Sequence, residues 1–177
     1  MTNAELAILG LIAEESRHGY DIEQIIEKRG MRGWTEIGFS SIYYLLNKLE
    51  KDGMVSSQLQ QLGGKGPARK VYSITADGKN ALTAGALAAI STPRNGSKPF
   101  LLGLSNLPII PPENLLPALN SYAAYLDESL KHLEERAEQQ RPLAPFVEAM
   151  FDYSQVLIEA ELNWLRKFIL EVEAGRV

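Results

Sequence analysis

The residues able to do chemistry are few, and they concentrate in the first half of the chain. If Ile42, Leu45, Leu46 and Leu49 face inward on a helix, then Ser40, Ser41, Tyr44, Asn47, Lys48 and Lys51 occupy its opposite face. All of these can donate hydrogen bonds. Serine and lysine near a helix start suit phosphates and base edges, because the free backbone N–H groups and the helix dipole favour an anion there. Such a face is also what an ordinary solvated helix shows. A second group, Lys65, Arg69 and Lys70, lies beside Gly63, Gly64 and Gly66, which let a backbone approach a phosphate closely, and no acidic residue occurs between Gly53 and Ala76. A charged loop tip can serve solubility, but after a helix of this kind it fits contact with a polyanion better.

Catalytic and metal chemistry lack their residues. There is no cysteine, which removes thiolate zinc sites, disulfides and a cysteine nucleophile, and His18 and His132 are the only imidazoles. His132 follows Lys131 on a charged helix, and Glu134-Glu135 falls on a solvated face. Gly63-Gly64-Lys65-Gly66 lacks the Gly-Lys-Ser/Thr ending of a phosphate loop. No enzyme, metal or cofactor is expected, and tetrapyrrole or thiol sensing has no support.

The 177 residues are 45% apolar and 23% charged, an ordinary globular composition with a net charge of -4. Residues 1–80 hold 10 Lys+Arg against 10 Asp+Glu, whereas 81–177 hold 8 against 12, so the acidic excess sits in the second half. The chain therefore cannot coat nucleic acid by bulk charge, but a local basic site remains open. Residues 1–5 carry no basic leader. The most apolar stretch, Phe100 to Ile110, is interrupted by Gly103, Ser105, Asn106 and Pro108. A cytoplasmic location is expected rather than secretion or a membrane span.

The elements that must position these residues read as three short helices and a hairpin. Asn3 is the expected cap of a first helix carrying Leu6, Leu9, Ile12 and Ala13, which stops near 16–19. A second helix opens at Tyr20-Asp21 with Ile22, Ile25 and Ile26, and Gly30 and Gly33 end it before a loop carrying Trp34. The third opens at Ser40-Ser41 and ends at Gly53. Met54–Leu62 and Arg69–Ile74 are strand-compatible runs about a glycine-rich tip. This order is that of a winged helix-turn-helix, whose third helix enters the major groove while the hairpin touches the flanking backbone. The fold class is mainly α: a winged helix of three helices plus a two-stranded wing over residues 1–80, then an antiparallel helical dimerisation domain over 81–177. That second part holds a connecting helix from Lys79 to Ile90, a Pro/Gly/Ser-rich linker to Pro99, and amphipathic helices at 113–140 and 146–172. A helical hairpin cannot enclose both apolar stripes, and a second copy of the chain is the simplest cover.

Four blocks in order, Ala7-Ile8-Leu9-Gly10-Leu11, His18-Gly19-Tyr20-Asp21-Ile22, the run from Ser41 to Gly53, and the run from Arg69 to Gly78, resemble the PadR-like bacterial transcriptional regulators. The resemblance covers roughly residues 4–80. It implies a winged helix, homodimerisation and binding to pseudo-palindromic operator DNA, most often as a repressor. It implies that Ile42-Tyr43 anchors and orients the third helix, that Ser40, Ser41 and Tyr44 face the groove, and that Lys48 lies near a phosphate. Tyr43 either packs or touches DNA, Gly19 serves backbone geometry, and Tyr20 either packs or reaches a phosphate. With Lys65, Arg69 and Lys70 these form the expected DNA-binding set. The second half looks like the helical C-terminal domain of the longer subfamily related to virulence activators. There Phe100, Tyr122, Phe151, Leu157, Trp164, Leu165 and Phe168 are expected either as dimer core or as a pocket for a small hydrophobic or aromatic effector. The apolar Pro99-Phe100-Leu101-Leu102-Gly103-Leu104 departs from the charged junction of many relatives. The balanced charge of residues 1–80 leaves one alternative of another class, a winged-helix module that binds protein instead of DNA.

Overall fold

A computed structural model describes residues 1–35, 37–38, 41–60, 68–91 and 99–176. The expected wing tip, most of the expected linker, Ser40 and Lys65 lie outside the described residues. The chain divides into two compact units, residues 1–95 and 96–177, so the connecting helix groups with the first unit rather than following a boundary at 80.

In the first unit α1 (Asn3–Glu14) is capped by Thr2, not by the expected Asn3. The Thr2 hydroxyl accepts from the Glu5 N–H at 3.2 Å and the Glu5 carboxylate accepts from the Thr2 N–H at 2.7 Å, a reciprocal capping box. Next come β1 (Arg17–His18), α2 (Gly19–Lys28), α3 (Arg32–Thr35), α4 (Ile42–Lys51), β2 (Val55–Gln60), β3 (Arg69–Ile74) and α5 (Ala76–Ser91). Two elements go beyond the sequence reading. The segment carrying Trp34 is a short helix rather than a loop, tied by the Thr35 hydroxyl, which donates to the Met31 carbonyl at 2.8 Å. The sheet is three-stranded in the order β1-β3-β2, because Arg17 and His18 pair with Tyr72 and Val71 on the free edge of β3.

The core explains the arrangement. Ile8, Leu9, Leu11 and Ile12 of α1 meet Ile22 and Ile26 of α2 and Ile42, Leu45, Leu46 and Leu49 of α4, with Val55 and Tyr72 closing the sheet side. Burying each large aliphatic side chain contributes about 2 kcal/mol. Gly53 adopts φ 74°, a left-handed conformation that turns the chain from α4 into β2 at little steric cost. The Thr75 hydroxyl donates to the Gly53 carbonyl at 2.7 Å and accepts from the Gly78 N–H at 3.0 Å, so one side chain closes the α4–β2 turn and caps α5. A Cβ on Gly78 would stand 1.9 Å from the Met54 carbonyl oxygen, and only glycine permits that approach.

The second unit contains α6 (Pro99–Ser105), a 3₁₀ turn (Leu107–Ile109), α7 (Pro112–Gln139) and α8 (Pro145–Glu173). The short connection at 140–144 makes α7 and α8 antiparallel neighbours. Leu119, Ala123 and Leu126 pack on Leu162, Leu165 and Ile169, and Arg166 donates to both Asp127 carboxylate oxygens at 2.7 and 2.8 Å. Among the described residues no helix is long and apolar enough to cross a membrane.

Glu5 is only 5% exposed and also accepts from the Lys48 ammonium on α4. Lys48 first, and the Thr2 backbone second, hold the Glu5 carboxyl below its ordinary value. A carboxyl lowered by folding adds stability above its unfolded pKa and loses it as pH falls through the folded one. Replacing Glu5→Gln, which can still form the capping box, should lower the thermal midpoint at pH 7 by a few degrees. Thermal unfolding followed by circular dichroism should show that difference shrinking as pH drops below the carboxylate range.

Candidate nucleic-acid interface

With its apolar stripe buried, α4 directs Tyr43, Tyr44, Asn47 and Lys48 outward, and Tyr43 and Tyr44 are 56% and 68% exposed. Ser41 sits at the helix start, but its hydroxyl donates to the Gly38 carbonyl at 2.8 Å and so steadies the preceding turn. The first turn of α2, the first turn of α4 and the start of β3 converge on a concavity of about 480 Å³ lined by His18, Gly19, Tyr20, Tyr43, Arg69, Lys70 and Tyr72. Tyr20, Tyr43, Arg69 and Lys70 of the expected set therefore share one surface, and Tyr44 and Lys48 lie along the same helix.

Gly19 holds this surface together by a different means from the one expected. Its backbone is not in the left-handed region. What excludes a side chain there is the Tyr43 ring, whose Cε1 would lie 2.6 Å from an added Cβ. Glycine at the start of α2 thus lets the first turn of α4 sit against it, with Tyr43 lining the concavity.

The cations differ in how far they are already satisfied. Lys48 pairs with Glu5. Lys70 donates to the Glu50 carboxylate at 2.7 Å and lies 5.6 Å from the centre of the Tyr72 ring. Glu50 also accepts from the Ser57 hydroxyl, and Lys70 first and Ser57 second hold its carboxyl low. Arg69 is exposed and has no ion pair among the described residues. An incoming phosphate would meet Arg69 directly and would compete with carboxylates for Lys48 and Lys70.

His18, Tyr72 and the two carboxylates escaped the sequence reading. Tyr72 is 3% exposed, and burial raises its hydroxyl pKa. The His18 Nε2 lies 3.0 Å from the Asp21 carboxylate, while its Nδ1 is buried with no hydrogen-bond partner among the described residues. The signal for His18 was its place just before Gly19; for Glu5 and Glu50 there was none, since their partners lie far along the chain.

In the second unit a pocket of about 710 Å³ is lined by Pro99, Phe100, Leu101, Leu104, Tyr122, Glu161 and Trp164. Phe100 lies 5.3 Å from Tyr122 and, edge to face, 5.7 Å from Trp164, which stacks on Phe168 at 5.0 Å. The Tyr122 hydroxyl donates to Glu161 at 2.8 Å, and burial followed by this carboxylate pushes its pKa up to about 12. Of the expected second-unit residues, Phe100, Tyr122 and Trp164 come together here with Phe168 behind them. Leu165 is fully buried between α7 and α8, and Phe151 and Leu157 lie elsewhere on α8, Leu157 being 43% exposed.

Comparison with known proteins agrees with the architecture. Solved structures with the same fold include Bacillus subtilis PadR in complex with operator DNA, at 20% identity over 95% of this chain and 98% of that one with a TM-score of 0.77. Bacillus subtilis PadR in complex with p-coumaric acid gives 18% identity, 97% and 99% coverage and a TM-score of 0.80. The Vibrio cholerae virulence activator AphA gives 19%, 97% and 99%, and 0.75. No curated protein matches the chain in sequence. Residues 8–84 match the transcriptional regulator PadR-like family, a family of winged-helix DNA-binding regulators. That family is one of transcriptional regulators and not of enzymes.

If the Gly19–Tyr43 contact sets the surface, Gly19→Ala should leave the far-ultraviolet circular dichroism of the folded protein unchanged yet weaken DNA binding about tenfold. A double variant Gly19→Ala, Tyr43→Ala that binds no more weakly than Tyr43→Ala alone would identify the clash as the cause.

Proposed function

We propose that the protein is a homodimeric, bacterial, cytoplasmic repressor that binds a pseudo-palindromic operator and is released by a small aromatic effector. The observation that carries the DNA-binding part is the convergence of Tyr20, Tyr43, Arg69 and Lys70 on one concave surface beside the outward face of α4. In this reading Tyr44, with Ser40 and Ser41, faces the major groove, while Arg69, Lys70, Lys48 and Lys65 meet phosphates on either side. Operator binding by Bacillus subtilis PadR supports the reading.

Dimerisation is supported by α8. Phe146, Met150, Tyr153 and Leu157 recur at four- and three-residue steps and are 71%, 43%, 50% and 43% exposed. An apolar stripe of this period is covered most simply by its own copy across a twofold axis. A dimer would read half-sites about one helical turn or a multiple apart, on the order of 34 Å per turn. The effector reading draws on the aromatic pocket of the second unit and on the p-coumaric acid complex of Bacillus subtilis PadR. Release requires that the effector favour an arrangement of the dimer that fits the operator less well.

Internal pairing of Lys48 and Lys70 is the observation that favours the second reading, a winged helix binding protein without DNA. Fluorescence anisotropy against tiled fragments of the upstream region, at several salt concentrations, separates the two. The regulator binds one fragment on the order of 10³-fold or more above scrambled DNA. Arg69→Ala should weaken binding to all sequences and lower the salt slope by about one. An unchanged slope removes Arg69 from the interface, and no binding even at low salt favours the protein-binding module.

A further inference from the structure

We infer that the second-unit pocket selects flat aromatic molecules that carry a positive charge, with Glu161 as the residue that sets this preference. The inference rests on the effector reading above and adds the class of ligand. Among the described lining residues Glu161 alone is charged, and the others are Pro99, Phe100, Leu101, Leu104, Tyr122 and Trp164.

Among the described residues the polar groups favour one sign. A bound carboxylate needs a cation or a free donor. The Tyr122 hydroxyl already donates to Glu161 at 2.8 Å, and its pKa of about 12 keeps that proton in place throughout the neutral range. The Trp164 indole N–H is a neutral donor and cannot balance an anion held near a carboxylate. A cation meets the opposite situation. Glu161 supplies the countercharge, and Phe100, Tyr122 and Trp164 supply aromatic walls, a kind of surface that attracts positive charge over a ring face.

The rings also set the shape. Phe100 and Trp164 meet at 89° and Phe100 and Tyr122 at 38°, so the walls form an aromatic corner rather than a closed slot. Phe168 stacks on Trp164 with an interplanar angle of 15°, which holds the indole in place before any ligand arrives. A preset corner binds a rigid planar molecule with little ordering cost. At about 710 Å³ the cavity is of drug-sized-ligand scale.

The test uses the full chain and three probes of similar size: N-methylquinolinium as the cation, quinoline as its neutral counterpart, and p-coumarate as an anion. Isothermal titration calorimetry should give N-methylquinolinium roughly tenfold tighter binding than quinoline, with p-coumarate weakest. Glu161→Gln should abolish that preference, because the amide oxygen can still accept from Tyr122 and only the charge is lost. Equal affinities for cation and neutral probe, a preference for p-coumarate, or an unchanged ratio in Glu161→Gln would overturn the charge selectivity and leave an aromatic effector standing. Absence of binding by all three would overturn the inference and the effector reading together. A cation that binds through Glu161 without altering operator affinity would uphold this inference and overturn only the effector role.

Discussion

Burial of Ile42, Leu45, Leu46 and Leu49 is the constraint on which the nucleic-acid face depends. These side chains repeat at helical spacing, so placing them against α1 and α2 leaves α4 no rotational freedom. Its remaining residues must then point outward, and they are the tyrosines, asparagine and lysine that can donate hydrogen bonds. The same packing brings the first turn of α4 against the first turn of α2, where the absent side chain of Gly19 admits the Tyr43 ring. Hydrophobic periodicity thus positions chemistry that it does not itself perform.

Electrostatics on this face are restrained rather than maximal. Glu5 and Glu50 each engage a lysine of the expected contact set, and Arg69 is left as the cation with no ion pair among the described residues. Exposed pairs of this kind contribute little to stability, but they lower the attraction of the surface for arbitrary polyanions. Binding that depends less on bulk charge depends more on the fit of groups in the groove, as a regulator that must discriminate among sequences requires. The overall charge of -4 acts in the same direction.

Much of this was legible in the sequence because it depends on local periodicity. The boundaries of α4 and β3 and the helical second half followed from apolar spacing, and Gly53 marked the turn after α4. What was missed depends on contacts between distant segments. The pairing of Arg17 and His18 with β3 has no local signature, since two residues are too few for an alternating pattern. The Thr2 cap escaped because Asn3 is an equally good capping residue by type, and only the reciprocal bond with Glu5 distinguishes them. Gly19 was recognised as important for the wrong physical reason: sequence shows that a side chain is absent, and only the structure shows that Tyr43 fills the space. In the second half the aromatic residues divided among core, pocket and exposed stripe, a division that spacing on one helix cannot make because α6 supplies a wall.

The two units use apolar surface in different ways. The first encloses the apolar stripe of α4 against α1 and α2 and exposes Tyr20, Tyr43 and Tyr44, whereas the second leaves aromatic rings and an α8 stripe open for another surface or molecule. The central claim is that the outward face of α4 reads sequence. Selection from a random duplex DNA pool with the wild type and Tyr44→Ala tests it most directly. The account predicts a twofold-related motif for the wild type and lost preference at particular symmetric positions for the variant. An identical motif recovered by the variant, with affinity lowered equally for every sequence, would contradict it.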